Sequence, residues 1–188
     1  GPGAKGLSFF LVHSDEIEVT RIEEKMGLHT SPTCEIVFEK SKAQLIGEEG
    51  LGLVKYAIQM MNGARMGIAV QSVGIAQAAY EEGKKYAAER VQFGNTIENL
   101  PPVKRILDDN EAYVHAMRAL AYRACEVVDH YDGLVKKLVR EGEAERAIRK
   151  RPEIIRLDKL AKLLTPTAKL FNSESANTVA YHALQIFG

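Results

Sequence analysis

Two short stretches of the sequence hold side chains suited to binding an anionic ligand. The first is Arg-Val-Gln-Phe-Gly, residues 90–94, in which Arg90, Gln92 and Phe93 directly follow a long helical pattern. A guanidinium forms paired hydrogen bonds with phosphate oxygens, and it also stacks on aromatic faces. From these residues alone, the favoured interpretation is a structural ion pair for Arg90 with Phe93 packed in the core. The alternative is a pyrophosphate-binding arginine with an aromatic ring beneath a cofactor.

The second stretch is Asn-Gly-Ala-Arg, in which Asn62 and Arg65 border the most apolar part of the chain. An arginine at such a place needs an anion, a carboxylate or a carbonyl, because burying its charge without a partner is costly. From the residues alone, a structural ion pair and an oxygen of a substrate or cofactor are both open as the partner of Arg65.

Other chemistries find no support in the residue types. The sequence has no glycine-rich phosphate loop of the Walker or Rossmann form and no HExxH or paired metal-ligand spacing. The five histidines are scattered, which is typical of surface or half-buried residues. We therefore predict no metal site.

The bulk composition is that of an ordinary globular protein. The 188 residues are 46% hydrophobic and 27% charged, and the formal net charge is zero. No overall field therefore favours nucleic acid or an anionic membrane, and no run of 18 apolar residues predicts a membrane span. Cys34 and Cys125 form no CxxC pair, so we expect free buried thiols and a reducing, cytoplasmic compartment.

Strand signals fill the first fifty residues and helical signals fill the rest. Apolar alternation predicts three strands, at 7–12, 17–22 and 34–39. From Leu51 the pattern predicts a short helix that Asn62-Gly63 interrupts. A long helix follows, buried in the middle of a bundle and stopped by Gly94.

Two further helical regions are predicted. One begins at Asn99 as the N-cap, with Pro101 and Pro102 in its first turn. Residues 133–153 mix both charge signs, which favours a solvated helical excursion, with a partner-binding surface as the alternative. A last helical stretch contains Pro166, which we expect to kink or divide it.

The predicted fold class is an α+β fragment that is mainly α. A few antiparallel strands precede an antiparallel bundle of three to four long helices. We place a partial β-domain at 1–47 and a helical bundle domain at 48–188, truncated at its end.

Four blocks of the sequence, in this order and spacing, resemble the acyl-CoA dehydrogenase family of flavoproteins. They are "GLSFFLV" with "EEKMGLHTSPTCEIVFE", "LIGEEGLGL", "ARMGIAVQSVGIAQAAYEEGKKYAAERVQFG" and "ALQIFG". The likeness implies the end of a middle β-domain plus most of a C-terminal helical domain. Residues 133–153 resemble those of a large-insert branch, which includes enzymes similar to 3-methylmercaptopropionyl-CoA dehydrogenase.

The resemblance implies FAD as the cofactor. It places Arg90 on the FAD pyrophosphate of a neighbouring subunit, with Gln92 as a second polar contact and Phe93 packed near the cofactor. It also implies that Gln185, with Gly188 beside it, helps to hold FAD across a dimer interface. Pro101 departs from the pattern, because many members carry a glutamine there that can contact the flavin.

The resemblance also implies an acyl-CoA substrate, whose thioester and pantetheine end Arg65 and Asn62 would line. The expected partners are electron-transfer flavoprotein as the electron acceptor and further copies in a homodimer or homotetramer. We expect neither nucleic-acid binding nor membrane insertion.

The implied reaction is α,β-dehydrogenation, in which a glutamate removes a proton while hydride leaves to the flavin. The family places this glutamate either immediately before the helix arginine, where this chain has Ala64, or downstream of the glutamine segment. We therefore expect the base beyond Gly188 and an inactive fragment. The alternatives are a non-catalytic relative associated with stress response or nucleic acid, a plain helical interaction module, and an acyl-CoA oxidase.

Overall fold

The computed structural model describes residues 3–188. It contains two compact units, Gly1–Met61 and Asn62–Gly188. The first unit contains four of the six strands, and the second contains nearly all of the helical residues. The assignment of a β-domain to 1–47 and a helical domain to 48–188 stays a prediction.

The first unit contains two separate two-stranded antiparallel sheets. Strand β1 (Phe9–Val12) pairs with β4 (Ala43–Ile46), and β2 (Glu18–Ile22) pairs with β3 (Cys34–Val37). The sequence predicted β1, β2 and β3 but not β4. That strand is only four residues long and contains alanine and glutamine, so its local strand signal is weak. Short 3₁₀ turns at Gly3–Gly6 and Ser14–Glu16 complete the connections.

A close backbone crossing joins the sheets to the first helical turn. Gly52 begins a π-helical turn, Gly52–Ala57, and its N–H donates to the carbonyl of Leu7 at 2.8 Å. A Cβ at Gly52 would lie 2.4 Å from the carbonyl carbon of Ser8, so only glycine fits there. This contact fixes the start of the helical region beside the segment that leads into β1.

Helix α1 (Ile58–Glu89) is continuous over 32 residues. The predicted interruption at Asn62-Gly63 is therefore wrong. The prediction that this helix is buried in the middle of a bundle is also wrong, because Ile68, Val70 and Ile75 are 40%, 45% and 52% exposed. Only one face of α1 packs inward, and that face holds Met66, Ala69, Val73, Ala76 and Tyr80.

Helix α2 (Pro101–Arg140) begins with both prolines in its first turn, as predicted. The N-cap position belongs to Leu100, so the prediction of Asn99 as the cap is wrong. Asn99 instead ends a 3₁₀ turn, Ile97–Asn99, and its side-chain amide donates to the Thr96 hydroxyl at 2.7 Å. The Asn99 side chain therefore stabilises the turn before α2 and does not cap the helix.

The charged segment 133–153 is more ordered than a solvated excursion. It comprises the end of α2, the single turn α3 (Glu145–Ile148) and the start of α4 (Pro152–Phe187). Leu138, Ile148 and Ile154 form a small apolar core beneath it and are at most 5% exposed. Three aliphatic side chains spaced among many charges were enough to anchor a segment predicted as solvated.

Helix α4 runs through Pro166 without division over 36 residues. A proline lacks the N–H that would bond the carbonyl four residues earlier. The Thr167 hydroxyl donates to the neighbouring Leu163 carbonyl at 2.7 Å. The division expected at Pro166 is therefore wrong, and the alternative of a kink stays a prediction.

One core joins the three long helices. Its members are Val73, Ala76, Tyr80, Ala87, Ile97, Leu107, Val114, Met117, Ala121, Ala176, Val179 and Ile186. At its centre the fully buried Asn172 of α4 donates from Nδ2 to the carbonyls of Ala69 in α1 and Met117 in α2, both at 3.1 Å. The predicted fold class, mainly α with a few antiparallel strands and a bundle of long helices, is confirmed.

Candidate functional site

The Arg-Val-Gln-Phe-Gly stretch forms a tight hairpin directly after α1. Strand β5 (Val91–Gln92) pairs antiparallel with β6 (Asn95–Thr96). Phe93 and Gly94 form the turn, with φ values of 54° and 81°, as a two-residue type I′ turn requires. The helix ends at Glu89, so the prediction that Gly94 stops it is wrong. Gly94 instead supplies the second left-handed position of the turn.

Phe93 is an unusual residue for that turn. The left-handed region is uncommon for a bulky side chain, and asparagine or glycine is the usual choice there. Its side chain is also 86% exposed. Neither backbone preference nor core packing accounts for phenylalanine at this position, and strained residues of this kind cluster at ligand sites.

Arg90 lies at the base of the same hairpin and is exposed. Its backbone is fixed, because its N–H donates to the Tyr86 carbonyl at 2.9 Å and its carbonyl accepts from Ile97 N–H at 2.8 Å. Within residues 3–188 its guanidinium makes no ion pair and no hydrogen bond. The described part of the chain thus offers neither the ion pair for Arg90 nor the core position for Phe93. Gln92 is exposed beside them.

The end of α4 packs against the end of α1. A Cβ at Gly83 would lie 3.4 Å from Cδ1 of Ile186, so the two helices approach closely there. One turn further, the rings of Tyr86 and Phe187 lie 4.6 Å apart. Gln185 is exposed next to this contact. The structure therefore brings the glutamine segment and the hairpin to the same end of the bundle.

The last predicted site residue, Gly188, follows α4 with φ at 113°, a conformation that favours glycine. The sequence did not single out Gly83, Tyr86 or Phe187. Tyr86 lies one turn before Arg90 and Phe187 two residues after Gln185, and this proximity to the predicted residues was the available signal.

The Asn62 and Arg65 pair lies near the other end of α1. Nη1 of Arg65 donates to Oδ1 of Asn62 at 3.1 Å, and both side chains are half-buried. Asn62 is neutral, and within residues 3–188 no carboxylate pairs with Arg65. At 1.5 Å per residue, α1 separates this pair from the hairpin by roughly 36 Å. The structure therefore groups the predicted residues into two separate clusters.

Residues 3–188 contain neither a metal-binding cluster nor a membrane-spanning helix. No group of three or more histidine, cysteine, aspartate or glutamate side chains there could hold a metal ion. In the same residues, every helix is too short or too polar to cross a membrane. Cys34 and Cys125 are both free and half-buried rather than fully buried.

Comparison with known proteins identifies relatives of this chain. Residues 52–140 match the family described as acyl-CoA dehydrogenase, C-terminal domain. An acryloyl-CoA reductase (NADH) of Anaerotignum propionicum is 36% identical over 132 residues, which cover 68% of this chain and 33% of that protein.

Two solved structures are similar over nearly the whole chain. Butyryl-CoA dehydrogenase of Megasphaera elsdenii has a TM-score of 0.77 at 30% identity, and covers 100% of this chain and 43% of its own. A chain in the structure of the electron transferring flavoprotein of Acidaminococcus fermentans has a TM-score of 0.76 at 31% identity, with 99% and 43% covered.

The bundle of long helices has the fold of the helical C-terminal domain that the family model describes. The chain belongs to the acyl-CoA dehydrogenase family. It spans less than half the length of the relatives it matches. Its likeness to the large-insert branch stays a prediction.

Proposed function

We propose that this chain is the helical part of a flavin-dependent acyl-CoA dehydrogenase and that the α1 hairpin binds FAD. The observation that carries the proposal is the strained, exposed Phe93 beside Arg90, whose guanidinium has no partner in the described residues. A free guanidinium and an open aromatic face are the groups that a dinucleotide needs.

Each residue of the site would have a separate role. Arg90 would bind the pyrophosphate oxygens, and Phe93 would pack against a ring of the cofactor. The amides of Gln92 and Gln185 would donate to its polar edges, and Gly188 would leave room for close approach of the backbone. When bound, FAD would supply the hydride acceptor of the dehydrogenation.

The second cluster would bind the acyl-CoA thioester. Arg65 uses one guanidinium N–H on Asn62, and a guanidinium has five N–H donors in all. The remaining donors can orient a thioester or pantetheine oxygen, and Asn62 holds the guanidinium in place. Ala64 has no group that accepts a proton, so the base is a residue at another position.

The wider assembly is also part of the proposal. Likeness to a chain in the structure of an electron transferring flavoprotein supports electron-transfer flavoprotein as the acceptor. The outward-facing hairpin supports a homodimer or homotetramer in which FAD is shared between copies. The two free thiols support a cytoplasmic location.

The alternatives are less well supported. A plain helical module would have Arg65 and Arg90 in structural ion pairs, and the described residues provide none. The family match favours the enzyme over a non-catalytic relative associated with stress response or nucleic acid.

The test of the cofactor site is FAD retention by the full-length protein. We expect Arg90→Ala to weaken FAD affinity at least about tenfold, since a charge-assisted contact contributes about 1.5–3 kcal/mol. Arg105→Ala removes an exposed arginine from α2 and is the matched control. Flavin absorbance after dialysis measures the difference, and equal retention in the two variants would contradict the proposal.

The substrate role is tested separately. Arg65→Ala should raise KM for an acyl-CoA while leaving FAD content unchanged, because Arg65 and the hairpin lie at opposite ends of α1. Arg65→Lys should restore charge but not the paired geometry, so it should rescue KM only partly. An unchanged KM in Arg65→Ala would remove Arg65 from the substrate site.

A further inference from the structure

The connection between α2 and α4 carries a local excess of positive charge. Residues 133–156 contain eight Lys and Arg against four glutamates and no aspartate, whereas the whole chain has 25 of each sign. The remaining residues are therefore net acidic by four charges. The chain is neutral overall, but this segment carries a net positive charge that the rest of the chain balances.

This segment has a fixed backbone. Ile148 and Ile154 are 1% and 2% exposed and pack with Leu138 beneath it. Above them the Arg151 guanidinium binds both carboxylate oxygens of Glu143 and reaches Oε1 of Glu153 at 3.3 Å. The exposed charges therefore project from an ordered surface.

Some Lys and Arg side chains of this segment form ion pairs with its glutamates, and others do not. Arg151 is paired with two glutamates, and Lys137 lies 3.9 Å from Glu141. Six exposed cations of the segment make no ion pair or side-chain hydrogen bond within residues 3–188, namely Lys136, Arg140, Arg146, Arg149, Lys150 and Arg156. Four of them lie at the end of α2 and in or directly after α3, and we name these four, Arg140, Arg146, Arg149 and Lys150, the basic tip.

The buried side of α3 determines where the basic tip faces. Ile148 points into the small core, and in a helical turn residues two positions away lie on the opposite side. Arg146 and Lys150 are those residues, and both are exposed. The basic tip therefore faces outward at the end of the bundle where α2 meets α4.

The chemistry of the basic tip favours carboxylates on a protein surface. Three of its four cations are arginines, whose planar guanidinium pairs with carboxylates in a bidentate manner. Residues 133–156 contain no aromatic side chain, so they offer no platform for stacking bases and no aromatic anchor for a membrane interface. The four glutamates nearby and the acidic remainder of the chain would repel a continuous polyanion.

We propose that the basic tip is a docking surface for another protein that presents clustered aspartate and glutamate side chains. This goes beyond the proposed enzyme activity, because none of the four cations belongs to the FAD or substrate cluster.

The test measures binding of a labelled hexaglutamate peptide, a short carboxylate cluster, to the full-length protein by fluorescence anisotropy at low and moderate salt. We expect the triple variant Arg146→Gln, Arg149→Gln, Lys150→Gln to bind about tenfold more weakly than the parent, with a shallower salt dependence. Lys85→Gln, Lys104→Gln, Lys169→Gln removes three exposed lysines elsewhere and should bind nearly as the parent does.

A second variant, Arg146→Lys with Arg149→Lys, keeps the charge and removes the bidentate geometry, so its affinity should be intermediate. Far-UV circular dichroism confirms folding of each protein. Equal losses in the two triple variants, no binding by the parent, or tighter binding of a single-stranded oligonucleotide or of phosphatidylserine vesicles would each overturn the proposal. FAD content should not change in any variant, so the result is independent of the flavin site.

Discussion

The rings of Tyr86 and Phe187 lie 4.6 Å apart at an interplanar angle of 39°, and they join the last turns of α1 and α4. Such a tilted pair contributes about 0.5–1.5 kcal/mol beyond the burial of its area. Tyr86 precedes Arg90 by one turn, and Phe187 follows Gln185 by two residues. The ring contact therefore determines where the hairpin and the glutamine segment lie relative to each other.

The close approach at Gly83 should tolerate a methyl group but not a larger side chain. The nearest atoms to an added Cβ, at 3.4 Å and beyond, are in ordinary contact range. We expect Gly83→Ala to be neutral or to stabilise by up to about 1 kcal/mol, since alanine favours the helix. Gly83→Leu would displace Ile186 and should destabilise by about 1–3 kcal/mol.

Urea unfolding of the purified chain measures both effects. Gly133 is the matched control, because no atom lies within 4 Å of a Cβ added there. A Gly133→Leu variant should not be destabilised. If the two leucine variants unfold at the same urea concentration, the helices do not approach closely at Gly83.

Asn172 should be the most costly polar residue to remove from the bundle. Its amide bonds carbonyls of two other helices, and it is 0% exposed. Asn172→Ala loses both bonds and leaves a small cavity, so we expect a loss of about 2–4 kcal/mol in the free energy of unfolding. Asn177→Ala, at an exposed position in the same helix, should cost under about 0.5 kcal/mol. Equal costs would show that the three-helix contact does not form.

The thiol of Cys125 should react slowly with alkylating agents. Burial, followed by the nearby carboxylate of Asp129, raises its pKa above the ordinary value. In a Cys34→Ser background the alkylation rate should lie below that of a small free thiol, and its increase with pH should begin at a higher pH than for such a thiol. Asp129→Asn should increase the rate, whereas the distant Asp109→Asn should not.

The same shift has a consequence for stability. The fold favours the neutral thiol, so the unfolded chain loses this proton first as the pH rises. The contribution of Cys125 to stability is therefore full below the pKa of the unfolded thiol and is lost as the pH rises toward the folded value. If Asp129→Asn is alkylated at the same rate as its parent, the Asp129 carboxylate does not contribute to the raised pKa of Cys125.

Local sequence patterns predicted the elements but not their partners. Alternation located β1, β2 and β3, and helical periodicity located the long helices. It could not show which face of α1 is covered, since Ile68 and Ile75 are as apolar as the residues that are buried. The contact between Gly83 and Ile186 joins residues about a hundred positions apart, and no local signal reports it.

For the candidate site too, the sequence identified residues but not their arrangement. Residue types identify Arg90 and Phe93, but they predict a helix stop at Gly94 where Phe93 and Gly94 form a hairpin turn. A type I′ turn is usually recognised by asparagine or glycine at its first position, and here that position holds phenylalanine. The small core under 133–153 was missed because its three aliphatic residues are outnumbered by charges.

The left-handed backbone of Phe93 lowers the stability of the hairpin, whereas its exposed side chain is available to a ligand. Glycine there would relax the turn, so Phe93→Gly should raise the midpoint of thermal unfolding of this chain or leave it unchanged. The same replacement in the full-length protein should release FAD more readily. These two results together would show that Phe93 lowers the stability of the hairpin in exchange for a contact that only the complete protein makes.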